Sequence, residues 1–225
     1  MPITTLVFDA YGTLFDVAGA ARQAAALPEG AALADRWPQL AAEWRRKQLE
    51  YTWWRAITGA HAPFDQVTAE ALDWALDALS LQDPALRARL LALYDELPAF
   101  PEVQGVLAHL RGAGYRLAIL SNGSPRMLAT MTRAAGLDAL IPDLLSVETV
   151  RVYKPDFRVY GMVEPALGAK PADVLFVSAN GWDIVGAARF GFNTVWVNRA
   201  GLPQDGLPQT PQHVIRDLTE VPQCL

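Results

Sequence analysis

Four short runs rich in β-branched and aromatic residues, at 3–9, 115–121, 174–178 and 194–198, alternate with helical patterns along the chain. Strands joined through helices pair in parallel, because each crossover returns the chain to the same end of the sheet. The pattern therefore predicts an α/β fold, a parallel sheet with helices on both faces. The first three runs close on Asp9, Ser121 and Ser178, all polar. Open parallel sheets bind ligands beyond the carboxyl ends of their strands, so these three residues, remote in sequence, are expected to line one crevice.

About a hundred residues separate the first run from the second, where a plain crossover needs a dozen or so. Residues 17–95 carry several helical patterns and no credible strand, which predicts an all-helical cap over 17–95 inserted into a core made of 1–16 and 96–225. Its longest helix is expected to take Asp35 as N-cap, hold Pro38 in its first turn and stop near Gly59. On that helix Trp37, Leu40, Ala41, Trp44, Gln48 and Tyr51 form one stripe. Arg45, Leu49 and Trp53 form a second, a cation beside an apolar wall.

Composition narrows the partners. The 225 residues are 52% apolar, ample for a buried core, and 19 basic against 24 acidic residues leave a net charge of -5. No basic cluster exceeds Arg45-Arg46-Lys47, so nucleic acid is not an expected partner. The single cysteine, Cys224, can form no intrachain disulfide and is compatible with a reducing, cytoplasmic location. The apolar start is interrupted by Asp9 and Asp16, and no long apolar run follows, so neither a signal peptide nor a membrane span is expected.

The chemistry begins at Asp9. A carboxylate placed where a buried strand ends is desolvated on one side and open on the other, as a nucleophile needs. A metal-dependent phosphoryl-transfer site would carry a second aspartate two residues later, but that position is Tyr11, and Ser178 and Asn180 stand where further metal-binding carboxylates would be expected. No metal and no cofactor is therefore expected. Lys154, set before Pro155, can supply the fixed positive charge that Asp9 and Asp183 need if both lie in a low-dielectric crevice. Ser121 and Asn122 offer a hydroxyl and an amide to an anion; as plain loop punctuation, they would leave Ser124 to cap the helix opened by Pro125. Asp183 could equally serve only as charge at a helix N-terminus. His61, His109 and His213 show no metal spacing and no sequence-adjacent acid, and no G-x-S-x-G, Walker A or H-E-x-x-H motif occurs.

In order along the chain, Phe8-Asp9-Ala10-Tyr11-Gly12-Thr13-Leu14-Phe15-Asp16-Val17, Trp44-Arg45-Arg46-Lys47-Gln48-Leu49-Glu50-Tyr51, Leu120-Ser121-Asn122-Gly123, Tyr153-Lys154-Pro155 and Phe176-Val177-Ser178-Ala179-Asn180-Gly181-Trp182-Asp183 resemble the motifs of the haloacid dehalogenase (HAD) superfamily. The first motif marks the superfamily, and Tyr11 with the cap motif resembles its L-2-haloacid dehalogenases. The resemblance implies a HAD-like Rossmannoid core and metal-independent hydrolysis of short L-2-haloacids to D-2-hydroxyacids, with inversion, through an aspartyl ester on Asp9. It further implies that Arg45 receives the halide with Asn122 beside it, and that Ser121 and the backbone amides after Asp9 grip the substrate carboxylate. Lys154 would hold Asp9, helped by Thr13 and Tyr160, while Ser178, Asn180 and Asp183 would position the hydrolytic water. Tyr11, Leu49, Phe64 and Trp182 would bind the substrate, the last three as the wall around its alkyl group. A homodimer is implied as well, consistent with the many tryptophans of the cap helix. Three alternatives remain open on sequence: a fluoroacetate- or haloacetate-preferring enzyme, a phosphatase on the same fold, and a non-catalytic chain that binds a small anion or a protein.

Overall fold

The computed structural model describes residues 2–206 and 208–225. Strand β1 (Thr5–Phe8) is buried at every position, as expected of a strand covered on both faces. Helices α1 (Gly19–Ala25), α2 (Trp37–Thr58), α3 (Phe64–Ala78) and α4 (Pro84–Asp95) follow, and α5 (Val103–Gly112) leads to β2 (Arg116–Ser121). The remainder runs α6 (Pro125–Ala134), β3 (Asp143–Ser146), α7 (Phe157–Tyr160), α8 (Val163–Leu167), β4 (Val174–Ser178), α9 (Gly181–Phe190), β5 (Asn193–Val197) and β6 (His213–Ile215).

The six strands pair in parallel in the order β3-β2-β1-β4-β5-β6. The chain moves one way from β1 through β2 to β3 and the other way from β4, so β1 lies at the topological switch point where such sheets bind ligands. Phe8 registers with Ile119 on one side and Val177 on the other, which brings Asp9, Ser121 and Ser178 to one end of three adjacent strands.

The four anticipated strands are present, and two more, β3 and β6, form the sheet edges. Helix α2 ends at Gly59, whose φ of 70° is the left-handed conformation that glycine adopts without steric cost. Its start departs from expectation. The N-cap is Arg36 rather than Asp35, with no side-chain cap bond, and the Arg36 guanidinium instead donates to the Leu79 carbonyl, tying the start of α2 to the end of α3. Asp156, just after Pro155, caps α7 by accepting from Arg158 N. Ser124 caps α6 with Pro125 at its first turn, as expected.

The chain crosses between core and cap twice, and the crossings lie side by side: Asp16 N donates to Pro98 O at 2.9 Å and Phe100 N to Leu14 O at 3.0 Å.

Candidate active site

Immediately after β1 the backbone turns sharply. The amides of Thr13, Leu14 and Phe15 all point to the Ala10 carbonyl, and Gly12 holds φ at 86°, which a side chain there would strain. The turn returns Thr13 beneath Asp9, where its hydroxyl donates to Asp9 Oδ2 at 3.0 Å while accepting from Ala179 N at 2.8 Å. Arg199, stacked on Phe100, donates to the Thr13 carbonyl at 2.9 Å and holds this turn from behind.

Lys154 is fully buried, and its ammonium lies between two carboxylates, 3.1 Å from Asp9 Oδ1 and 2.8 Å from Asp183 Oδ2. Among the described residues no group of three His, Cys, Asp or Glu side chains is placed to hold a metal ion. Burial alone would lower the Lys154 pKa, but Asp183 and Asp9 outweigh it and hold the group above its usual range. Asp183 moves the other way from a normal acid: burial pushes it up, to about 6, against the pull of Lys154, with Asp9 adding to the rise. Its two oxygens are further held by the Tyr160 hydroxyl at 2.7 Å and the Ser178 hydroxyl at 3.2 Å.

Asn180 completes the ring around Asp9, donating from Nδ2 to Asp9 Oδ2 at 2.8 Å and to the Tyr11 carbonyl at 3.2 Å. From the cap, Arg45 reaches the Tyr11 carbonyl and Asn180 Oδ1, each at 3.4 Å, and donates to Gln48 Oε1 at 2.8 Å on its own helix. Asn122 accepts from Lys154 N at 3.0 Å, and Ser121 Oγ accepts from Gly123 N at 3.1 Å.

Aromatic rings line the same space. Tyr11 packs on Phe64 at 5.3 Å and on Tyr94 at 5.7 Å, and a Cβ at position 123 would come within 2.9 Å of its hydroxyl, so Gly123 is what makes room for the ring. That hydroxyl is buried without a hydrogen-bond partner among the described residues. Burial first, then Tyr94 and Asp95, raise its pKa well above the usual range, so it remains a neutral donor. Trp182 meets Trp53 of the cap edge to face at 5.7 Å. Leu49 is half-buried on α2, one turn from both Arg45 and Trp53.

Most of the anticipated residues thus come together, with three differences in detail. The amide beside Arg45 is Asn180, whereas Asn122 bonds Lys154. The Asn180 side chain addresses Asp9, while its backbone meets the Ser178–Asp183 pair, its amide donating to Ser178 Oγ at 3.1 Å and its carbonyl accepting from Asp183 N at 3.0 Å. Tyr160 acts on Asp183 and reaches Asp9 only through it. His61 is not isolated either: its Nε2 lies 2.9 Å from Glu148, whose other oxygen accepts from Phe64 N. Gln48, Thr68 and Tyr94 escaped notice as functional candidates; a glutamine on an otherwise apolar and aromatic stripe was the available signal, because a buried amide requires partners.

A family model for haloacid dehalogenase-like hydrolases matches residues 3–191. The chain belongs to the haloacid dehalogenase-like hydrolases. Within this family it is 44% identical, over all of its own length and 97% of the relative's, to an (S)-2-haloacid dehalogenase of Pseudomonas sp. (strain CBS-3). A solved dehalogenase with an intermediate complex superposes with a TM-score of 0.92 at 40% identity, covering 99% of this chain and 97% of that one. The L-2-haloacid dehalogenase of Xanthobacter autotrophicus, solved with chloropropionic acid covalently bound, superposes with a TM-score of 0.87 at 36% identity, covering 98% and 97%. The HAD-like hydrolase described here therefore shares both core and cap with those enzymes.

Proposed function

We propose that this HAD-like hydrolase converts short L-2-haloacids to D-2-hydroxyacids, with Asp9 as the nucleophile. The observation that carries the reading is the pairing of Asp9, held by Lys154, Thr13 and Asn180, with the Arg45 guanidinium, which reaches from the cap to that same Asn180 and to the Tyr11 carbonyl. A carboxylate with a cation opposite suits displacement of an anion: Asp9 forms a C–O bond, the C–halogen bond breaks, and the halide leaves toward Arg45. Ser121 and the amides that follow Asp9 hold the substrate carboxylate, and Tyr11, Leu49, Phe64 and Trp182 enclose its alkyl group. Asn122 sets the Lys154 backbone.

In the second step water adds to the carboxyl carbon of the ester and the hydroxyacid departs, returning Asp9 with one solvent oxygen. Asp183 is the base for that water. Burial raises its pKa to about 6, nearer neutrality than a free carboxylate, which favours a proton acceptor, and Lys154, Tyr160 and Ser178 hold it in place. Lys154 supplies the positive charge that a metal would supply elsewhere, so turnover in excess chelator is the expected outcome.

We take the cap as 17–95, its ends falling at the paired crossings near Asp16 and Pro98. The partners are haloacid and halide. We also infer a homodimer, though the tryptophans support it less than their number suggested. Trp44 is buried and Trp53 is taken up by Trp182, which leaves Trp54 and Ile57, 51% and 82% exposed, as the outward apolar pair. Sedimentation velocity tests this, with Trp54→Glu expected to shift a dimer to monomer. No helix among the described residues is long and apolar enough to cross a membrane, and we assign the enzyme to the cytoplasm.

The deciding experiment is one turnover of L-2-chloropropionate in heavy-oxygen water with enzyme in excess. Label is expected in Asp9 and not in the first hydroxyacid released; label in that product would show direct attack by water instead. Asp9→Ala is expected to release no halide.

A further inference from the structure

We propose that Gln48 is a positioning residue for the halide step, setting the Arg45 guanidinium through a directed hydrogen-bond chain that ties α2, α3 and α4 together. The proposal rests on the reading of Arg45 as the halide's receiver.

Gln48 is 1% exposed and lies one turn beyond Arg45. Its Oε1 accepts from Arg45 Nη1 at 2.8 Å and from the Tyr94 hydroxyl at 3.1 Å. Its Nε2 donates to Thr68 Oγ1 at 2.8 Å, and Thr68 in turn donates to the Phe64 carbonyl at 2.7 Å. Trp44 Nε1 fixes that turn of α3 by donating to the Thr68 carbonyl at 2.8 Å.

The chemistry leaves one orientation for the amide. A guanidinium only donates, so the oxygen of Gln48 must face Arg45. Thr68 has one hydroxyl proton, already committed to Phe64, so it can only accept from Gln48 and must face the nitrogen. A flipped amide would set NH2 against guanidinium and oxygen against an oxygen with no proton to give. Burial raises the Tyr94 pKa, with the Arg45 charge opposing, so the phenol stays a donor to Gln48. The bond to Gln48 is also the shortest that Arg45 makes, because its two contacts to the core are at 3.4 Å. A neutral amide suits this task better than a carboxylate, since it fixes the guanidinium while leaving its charge for the departing anion.

The test compares bromide, a probe of the halide position, with propionate, a probe of the carboxylate grip, as inhibitors of L-2-chloropropionate turnover. In Gln48→Met kcat is expected to fall about ten- to a hundredfold, the range for a misplaced catalytic group. Its bromide inhibition should weaken while propionate inhibition holds. Gln48→Glu should weaken bromide most, because its carboxylate cancels the Arg45 charge. Thr68→Val should move bromide in the same direction by less, and Thr68→Ser, which keeps the hydroxyl, should match the parent enzyme. Parallel weakening of both inhibitors in the Gln48 and Thr68→Val variants would show a merely structural role and overturn the proposal, as would no change in either. An Arg45→Lys control separates the two readings. If it leaves bromide inhibition intact, the halide assignment of Arg45 fails; if it weakens bromide and the Gln48 variants do not, only the role of Gln48 falls.

Discussion

On the sheet side of the crevice, Asp9 sits at 5% exposure with its carboxylate among three donors, none farther than 3.1 Å, Lys154, Thr13 and Asn180, while its own amide donates to the Val177 carbonyl at 2.9 Å. On the cap side, Arg45 meets the core through two contacts of 3.4 Å, at the weak end of the range for such bonds. Asp9, the proposed nucleophile, is fixed before substrate arrives, whereas Arg45 belongs to a part that must separate from the core if so enclosed a carboxylate is to meet a substrate. The weakness is particular to Arg45, because elsewhere the two parts meet through short bonds, His61 to Glu148 at 2.9 Å and Arg126 to Asp95 at 2.7 Å. Arg45 keeps its aim without strong core contacts because its support, through Gln48, travels with the cap.

The most forceful way to break this contrast is Lys154→Met. It leaves Asp9 and Asp183 facing one another in a buried space with no cation, and removal of one partner from a buried pair costs about 3–5 kcal/mol of stability. Activity should fall by about a thousandfold or more, because Asp9 loses the fixed dipole environment that substitutes for water. Thermal unfolding and halide release measure the two effects. A variant that unfolds at the parental temperature and still turns over would mean that the sheet side is no better organised than the cap side.

Arg45→Lys probes the other side. The ammonium keeps the charge but loses the planar fork that bonds Gln48 and the core together, and a loss of about ten- to a hundredfold in kcat is expected, with stability little changed. That asymmetry sharpens the comparison: charge removed from the sheet side should damage fold and rate together, and geometry removed from the cap side should damage rate alone.

The same contrast governs what could be read from the sequence. Asp9, Ser121, Ser178 and Lys154 were legible because strand ends and proline-fixed turns constrain position locally. Gln48, Thr68 and Tyr94 were not, since their meeting depends on how α2, α3 and α4 pack, and nothing local records a partner twenty or forty-six residues away. His61 and Glu148, separated by eighty-seven residues, escaped for the same reason. The edge strands β3 and β6 were missed on different grounds: β3 is a four-residue Asp-Leu-Leu-Ser and β6 only three residues, too short for alternation to register. Their omission left the site intact because it is built on the central strands.

Acid titration separates the two sides further. Asp183 has its pKa raised to about 6 by burial, so the folded state holds a proton that the unfolded chain releases between roughly pH 4 and 6. Its contribution to stability therefore falls as pH rises through that window. Lys154, held above its usual range, stabilises at neutral pH and loses that effect only as pH rises through its folded pKa. Activity has the opposite slope to the Asp183 stability term: ester hydrolysis needs the unprotonated base, so its rate should drop about tenfold per unit below pH 6. Tyr160→Phe removes a donor that lowers the Asp183 pKa, and the acid limb of the profile should move upward. Halide release in the first step, which depends on Arg45, should show no such displacement.

The smallest effect is expected where the two sides touch directly. Trp182 of the core meets Trp53 of the cap edge to face, so the wall proposed for the alkyl group would be assembled only when the parts are together. Trp182→Leu removes volume from that wall without touching Asp9 or Arg45. Each substrate methylene that gains a place there is worth up to about 0.8 kcal/mol, roughly fourfold in kcat/KM, in favour of longer haloacids over chloroacetate. A second consequence follows from the contact itself: with the edge-to-face pair gone, closure is weakened for every substrate, so all rates should decline slightly while their order changes. Relative rates measured across a series from chloroacetate to 2-chlorohexanoate distinguish these effects. A uniform decline would make Trp182 a closure contact alone, and a changed order with no decline would make it wall alone. Both together are expected, because one ring belongs to the pocket and to the joint between the two parts.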